Sequence, residues 1–261
     1  MSKPTYSGTT ACVVLLRDDR LYVSNCGDSR AVLARRGATI KKKAGTTKMT
    51  TEDDERRTTD ETCGDRRARN INGLIAIQLS TDQNPDSSGE KERILSSGGY
   101  VTPPPEPGLS SRVWLDRGHT QIGLAMARSI GDHAVKGVGV IARPVVTTRV
   151  IDWAADDFII VATDGVWEFL SSEDAVDIVG RHLFGETADG DNDDGKSRGH
   201  DDDYAERDEA CSGGIGGGDW GASAACKALI KAASEKWHEH EGDYRDDITA
   251  IVIRLKDLWG R

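Results

Sequence analysis

Apolar and polar positions along the chain sort into short strands and a few helices. In residues 10–36, Thr10–Leu16 reads as a strand, Asp18-Asp19-Arg20 as a turn, Leu21–Cys26 as a second strand and Ala31–Arg35 as a third. The short spacing and β-branched content predict an antiparallel meander. Leu74–Leu79 repeats the strand pattern, and Phe158–Ala162 is an unbroken apolar run, as in a strand buried on both faces. Ile248–Leu255 closes the chain as a strand. Helices are predicted at Glu90–Ser97, stopped by Gly98-Gly99, and at Gln121–Ile130, where Ile122, Ala125, Met126 and Ile130 fall near one face. Another follows Ser171, a candidate N-cap with Asp174 three residues on. A last amphipathic helix covers Ala222–Trp237, ending before the histidines that follow.

Two stretches break the pattern. Lys41-Lys42-Lys43 opens a segment with nine bases, seven acids and almost no large apolar side chains, which cannot bury enough surface to order itself. Residues 185–221 are acidic first and then glycine-rich from Gly213 to Gly218, with no strand before the glycines and no Gly-Lys-Ser/Thr after them. Both read as inserted loops, at 38–72 and 185–221, in one domain over residues 1–258. The 261 residues suffice for a single large core.

The net charge is −10, but residues 185–209 alone hold eleven acids and three bases. The imbalance is therefore local, and it argues against nucleic acid as a partner. No stretch approaches the roughly 20 apolar residues of a membrane helix, and Met1–Ser7 has no apolar core. Five cysteines without a C-x-x-C pair suit a reducing compartment, so a cytoplasmic or nuclear location is expected.

Three Asp-containing segments carry the candidate chemistry: Gly27-Asp28-Ser29-Arg30, Thr163-Asp164-Gly165-Val166-Trp167-Glu168 and Arg245-Asp246-Asp247-Ile248-Thr249. Taken singly, an Asp beside a Gly after a strand is a turn residue. Together they place three carboxylates at strand ends, where convergence would make an oxygen-rich site for a hard cation. Trp237-His238-Glu239-His240-Glu241 is a weaker metal pattern, because residues two apart do not share a helix face. Arg128 and Asp132 read as a structural pair, and His133 as a loop residue.

The motifs also come in a recognisable order. Ser7-Gly8-Thr9-Thr10-Ala11, Asn25–Leu33, Gln78-Leu79-Ser80-Thr81-Asp82-Gln83-Asn84-Pro85, Glu92-Arg93-Ile94 and Gly98-Gly99-Tyr100-Val101 are followed by Leu124–Asp132 with Lys136, and by Arg143-Pro144-Val145-Val146. Phe158–Trp167 and Arg245–Val252 complete a series that resembles the metal-dependent Ser/Thr protein phosphatases of the PPM class, or type 2C.

The resemblance implies an α+β fold, a sandwich of two antiparallel β-sheets flanked by helices in four α/β/β/α layers. It implies Mn²⁺ or Mg²⁺ as cofactor and phosphorylated proteins as substrates, attacked by metal-bound hydroxide. Asp164 and Asp246 would bind one metal, and Asp28 would help hold a further, weaker one. Glu168 stands where many members have Asp, one methylene shorter, and Asp247 replaces the usual Asn. The family also carries an Asp-Gly-His-Gly type motif, which would supply a bridging Asp and a general acid, and an Arg that grips phosphate. No Asp-Gly-His occurs in this chain, so the domain is expected to be incomplete at its N-terminus and no catalytic acid is identified. A binding module that keeps the fold without hydrolysis is the alternative.

Overall fold

A computed structural model of the chain describes residues 5–37, 73–104, 110–184 and 221–258. The predicted loops at 38–72 and 185–221 lie outside the described residues, Gly221 excepted. In chain order the strands are β1 (Gly8–Thr9), β2 (Ala11–Arg17), β3 (Arg20–Cys26), β4 (Arg30–Arg36), β5 (Leu74–Gln78), β6 (Tyr100–Thr102), β7 (Arg112–Trp114), β8 (Ile130–Gly131), β9 (Val145–Val150), β10 (Asp156–Ala162) and β11 (Ala250–Arg254). The helices are α1 (Glu90–Ser96), α2 (Asp164–Trp167), α3 (Ser172–Phe184) and α4 (Ala222–Glu241).

Two antiparallel sheets form the body. One has the order β11-β10-β4-β5 and the other β2-β3-β9. The continuous apolar runs explain which strands are central. Ala31–Ala34 of β4 are each 0% exposed, and in β10 Phe158, Ile159 and Ile160 are almost as inaccessible. Their side chains alternate between two cores, as the period of a strand requires. Val32, Ala34, Phe158, Ile160 and Ala162 meet Val176 and Val179 of α3 and Ala225, Leu229 and Ala233 of α4. Ala31, Leu33 and Ile159 meet Leu21 and Val23 of β3 across the gap between the sheets. A third, smaller cluster joins Ile94 of α1 with Val113, Ala127, Val135 and Val140.

The predicted meander is corrected here. β2 and β3 pair as expected, from Ala11↔Cys26 to Arg17↔Arg20. β4 then leaves its neighbour and crosses to the other sheet, between β10 and β5. A strand apolar on both faces cannot lie in a sheet with one open face, and burial decides the pairing. The helix expected over Gln121–Ile130 is also absent. Ile122 has φ 54°, Val113 and Leu124 exchange backbone hydrogen bonds, and Ala127 N–H donates to Gln83 O at 2.7 Å. The apolar positions there follow a packed extended segment, which shares its spacing with a helix face only by coincidence.

The other helices form where expected, and α4 runs through the histidines to Glu241. At the start of α3 the Ser171 hydroxyl accepts from Asp174 N–H at 3.1 Å and donates to its carboxylate at 2.7 Å. This cap satisfies an orphan donor. No helix of the described residues is long and apolar enough to cross a membrane.

On β2-β3-β9 the face turned away from the other sheet carries Val13, Leu15, Tyr22, Val146 and Val150, all exposed between 37% and 59%. Register places them side by side, Leu15 opposite Tyr22 and Tyr22 opposite Thr148. Among the described residues this apolar face has no covering layer, and patches of this kind promote association. Residues 1–261 are expected to self-associate through it. The double change Leu15→Lys and Val146→Lys should shift sedimentation toward monomer and reduce binding of a hydrophobic dye, with unfolding free energy altered by less than about 1 kcal/mol.

Candidate active site

The antiparallel register brings the chemistry together. Ala162 at the end of β10 faces Arg30 at the start of β4 on one side, and Ala250 at the start of β11 on the other. Asp28, Asp164 and Asp246 therefore emerge from one end of one sheet.

Each loop has its own fixings. Gly27 takes φ +116°, and a Cβ there would lie 2.3 Å from Thr10 Cγ2, so the turn before Asp28 requires glycine. Gln83 grips the turn. Its Oε1 accepts from Gly27 N–H at 2.6 Å, and its own N–H donates to Gly27 O at 3.0 Å. On the next loop Thr163 N–H donates to Thr249 O at 3.0 Å, and the Thr163 hydroxyl joins Asp247 O and Thr249 N–H, each at 3.1 Å. Gly165 closes the same joint, since a Cβ on it would lie 2.4 Å from Asp247 O. Asp164 begins α2 and Glu168 caps it, donating its N–H to Asp164 O at 2.9 Å. A spacing of four residues sets both carboxylates on one side of the turn.

These loops border a polar cleft of ≈ 220 Å³ lined by Asp28, Asp82, Asp86, Asp164 and Glu168, with Arg30, Asn84 and Trp167. Asp28, Asp164 and Glu168, three of the four carboxylates singled out in the sequence, share this lining. Asp246 stands beside Asp164, close enough for its charge to act there, but is not part of the lining. Asp82, Asp86 and Arg30 were not assigned to the site from sequence. Asp82 lies four residues past the end of β5, within reach of a strand-end search made a little wider. Arg30 holds Asp82 through Nε at 3.1 Å and Nη2 at 2.6 Å, reaches the Ser172 hydroxyl at 3.1 Å, and lies over the Trp167 ring at 5.0 Å.

Burial and like charge oppose ionisation of three of these carboxyls. The Asp28 carboxyl is pushed up to about 7, first by burial and then by the charge of Asp164, with Asp82 and Glu168 adding to it. Asp164 is raised by burial and by Asp246. Glu168 is raised by burial and by Asp164, with Arg112 working the other way. An all-carboxylate donor set under mutual repulsion fits a hard divalent cation, whose charge would relieve it. Among the described residues no group of three or more His, Cys, Asp or Glu side chains is disposed to enclose an ion. The fit therefore lies in donor chemistry, and a cation here would keep part of its shell as water.

Other sequence expectations resolve differently. Arg128 does not pair with Asp132. It holds the buried Glu90 through Nε at 3.0 Å to both oxygens, and Arg93 binds the same carboxylate at 2.7 Å. Between them the two guanidiniums give both carboxylate oxygens charge-assisted partners. His133 is exposed at the start of a 3-10 turn, and His238 and His240 are exposed on α4.

Two consequences are testable. A carboxyl raised in the folded state binds a proton there before it does when unfolded, so its contribution favours folding increasingly as pH falls from about 7 toward the ordinary carboxylate value. In EDTA at pH 7–8, Asp28→Asn is expected to raise stability by on the order of 2–4 kcal/mol. The gain should shrink in melts at pH 6 and 5. Gly165→Ala should cost about 1–3 kcal/mol in urea unfolding, because the Asp247 backbone must give way.

The family model for protein phosphatase 2C matches residues 1–76 and 62–192. Probable protein phosphatase 2C 34 of Arabidopsis thaliana is 38% identical over 174 residues, which cover 66% of this chain and 39% of that protein. Probable protein phosphatase 2C 48 of Oryza sativa subsp. japonica is 41% identical over 176 residues, covering 67% and 41%. The chain thus spans about two fifths of the length of these relatives. Among solved structures, a serine-threonine phosphatase 2C from Toxoplasma gondii superposes with TM-score 0.61 at 19% identity, over 96% of this chain and 59% of that one. That likeness shows the fold, and the family model together with the sequence identities carries the assignment: the chain belongs to the protein phosphatase 2C family.

Proposed function

We propose that this chain is the core of a metal-dependent protein serine/threonine phosphatase, acting on phosphoserine and phosphothreonine. One observation carries the reading: Asp28, Asp164 and Glu168 line one cleft, where burial and neighbouring carboxylates oppose the ionisation of each. Mn²⁺ or Mg²⁺ would be held by Asp164 with Asp246, and a further ion by Asp164 with Asp28, with Glu168 and Asp82 within the same field. Bound there, the ion supplies a water of lowered pKa and neutralises phosphate oxygens. The chain's own residues set the stage. Asp164 is oriented by Gly165 N–H, which donates to its Oδ1 at 3.0 Å. Asp246 is oriented by Asp247 N–H at 2.7 Å. Arg30 restrains Asp82 and is not available to grip phosphate, and Trp167 walls the cleft from α3. Phosphoproteins are the partners in this reading, with neither nucleic acid nor membrane, and the setting is cytoplasmic or nuclear.

A second reading has its own support. No Asp-Gly-His occurs in the sequence and no closed ligand group exists among the described residues, as suits a phosphoprotein-binding module without turnover. The readings separate in one assay. Residues 1–261 alone are expected to give negligible Mn²⁺-dependent hydrolysis of p-nitrophenyl phosphate, because a two-metal site needs ions about 3.5–4 Å apart sharing one hydroxide. A version extended by an upstream segment with the Asp-Gly-His motif should turn over, and lose activity in Asp164→Asn. An extended version without activity favours the binding module, and robust turnover by residues 1–261 contradicts the ligand assignment.

A further inference from the structure

Between the segments that carry Asp164 and Asp246 lies a side chain from the end of α4. Trp237 is 7% exposed, and its indole N–H donates to the Gly165 carbonyl at 2.7 Å. That carbonyl belongs to the four-residue helix α2, one residue after Asp164. A helix so short leaves its carbonyls without intrahelical donors, so the bond from Trp237 answers a real need.

The indole is itself held from both sides of the cleft's joint. Phe169, next after Glu168, meets it edge to face with ring centroids 4.8 Å apart and planes at 82°. Tyr244, two residues before Asp246, meets it at 5.9 Å and 68°. His240 stacks on the Phe169 ring at 4.6 Å, 14° from parallel. Trp237 thus touches Gly165 and Phe169 on one carboxylate-bearing segment and Tyr244 on the other. Aromatic pairs of this geometry add directional preference to plain burial. Tight approach at Gly165 leaves the peptide little freedom to move, since Asp247 O lies where its Cβ would be.

We propose that Trp237 is a positioning residue for the cleft, fixing the Asp164 segment against the Asp246 segment and so setting the separation of those two carboxylates. Its bearing on cation binding rests on the reading of the cleft given above. Phenylalanine keeps a ring in the aromatic group but removes the donor together with part of the indole's volume, leaving a buried carbonyl unpaired, so a packing control on the same helix is needed beside it.

The test compares Trp237→Phe with Leu229→Val, a change in the buried face of the same helix far from the joint in sequence. Two readouts are used on the full chain. In metal-free protein, deuterium exchange across residues 163–168 and 245–249 is expected to quicken by about tenfold in Trp237→Phe and to stay at the wild-type rate in Leu229→Val. In calorimetric titration with MnCl₂, Trp237→Phe should bind roughly fivefold more weakly, while Leu229→Val should bind as wild type even if it melts at a lower temperature. Unchanged exchange in both segments of Trp237→Phe overturns the proposal. Equal quickening in Leu229→Val also overturns it, by reducing the effect to lost stability. If the exchange responds as expected but neither wild type nor Asp164→Asn takes up Mn²⁺, the brace between the segments is supported and the cation-site reading of the cleft is the one that fails.

Discussion

Ala162 of β10 is flanked in register by Arg30 and Ala250, and this row of three residues brings Asp28, Asp164 and Asp246 to one end of the sheet. Strand pairing is strict here because both faces of β4 and β10 are buried. A slip of one residue would move Phe158, Ile160 and Ala162 from the helical core into the core between the sheets. The cleft thus inherits its geometry from hydrophobic packing, and the loops only refine it. Gly27, Gly165 and Thr163 are the refinements, each fitting a place where two backbones come within van der Waals distance.

Electrostatics at this end of the sheet run against stability. Several carboxylates face one another, and burial makes each harder to ionise. One bidentate ion pair, Arg30 with Asp82, offsets part of the repulsion. Elsewhere the buried Glu90 has two arginines to itself. The buried Glu90 is matched by cations of the chain itself, whereas the cleft acids, in excess of their cations, are left with raised proton affinity.

The helical layer does more than cover the sheet. α3 and α4 bury the outer side of β4 and β10, and the last turns of α4 reach past the sheet edge to the cleft. There an indole supplies the donor that α2 is too short to supply for itself. Packing, backbone satisfaction and site geometry meet in one side chain, so the stability of the helix pair and the spacing of the acids are not independent.

Local pattern was enough for much of this. Short apolar runs located β2, β3, β4, β5 and β10, the Ser171–Asp174 cap located α3, and of the three strand-end acids Asp28 and Asp164 line the cleft. It failed where spacing is ambiguous. Ile122, Ala125, Met126 and Ile130 fit a helix face by spacing, but a positive φ at Ile122 and the pairing of Leu124 with Val113 make the segment extended. Sequence also could not say that β4 changes sheets, since burial on both faces names a central strand without naming its neighbours. Nor could it bring Asp82 to Arg30, or Trp237 to Gly165, 72 residues away. Hydrophobic periodicity is a property of neighbours along the chain and is written in the sequence itself. The partner of a buried donor or charge depends on which strands pair and in what register, and only the tertiary structure settles that.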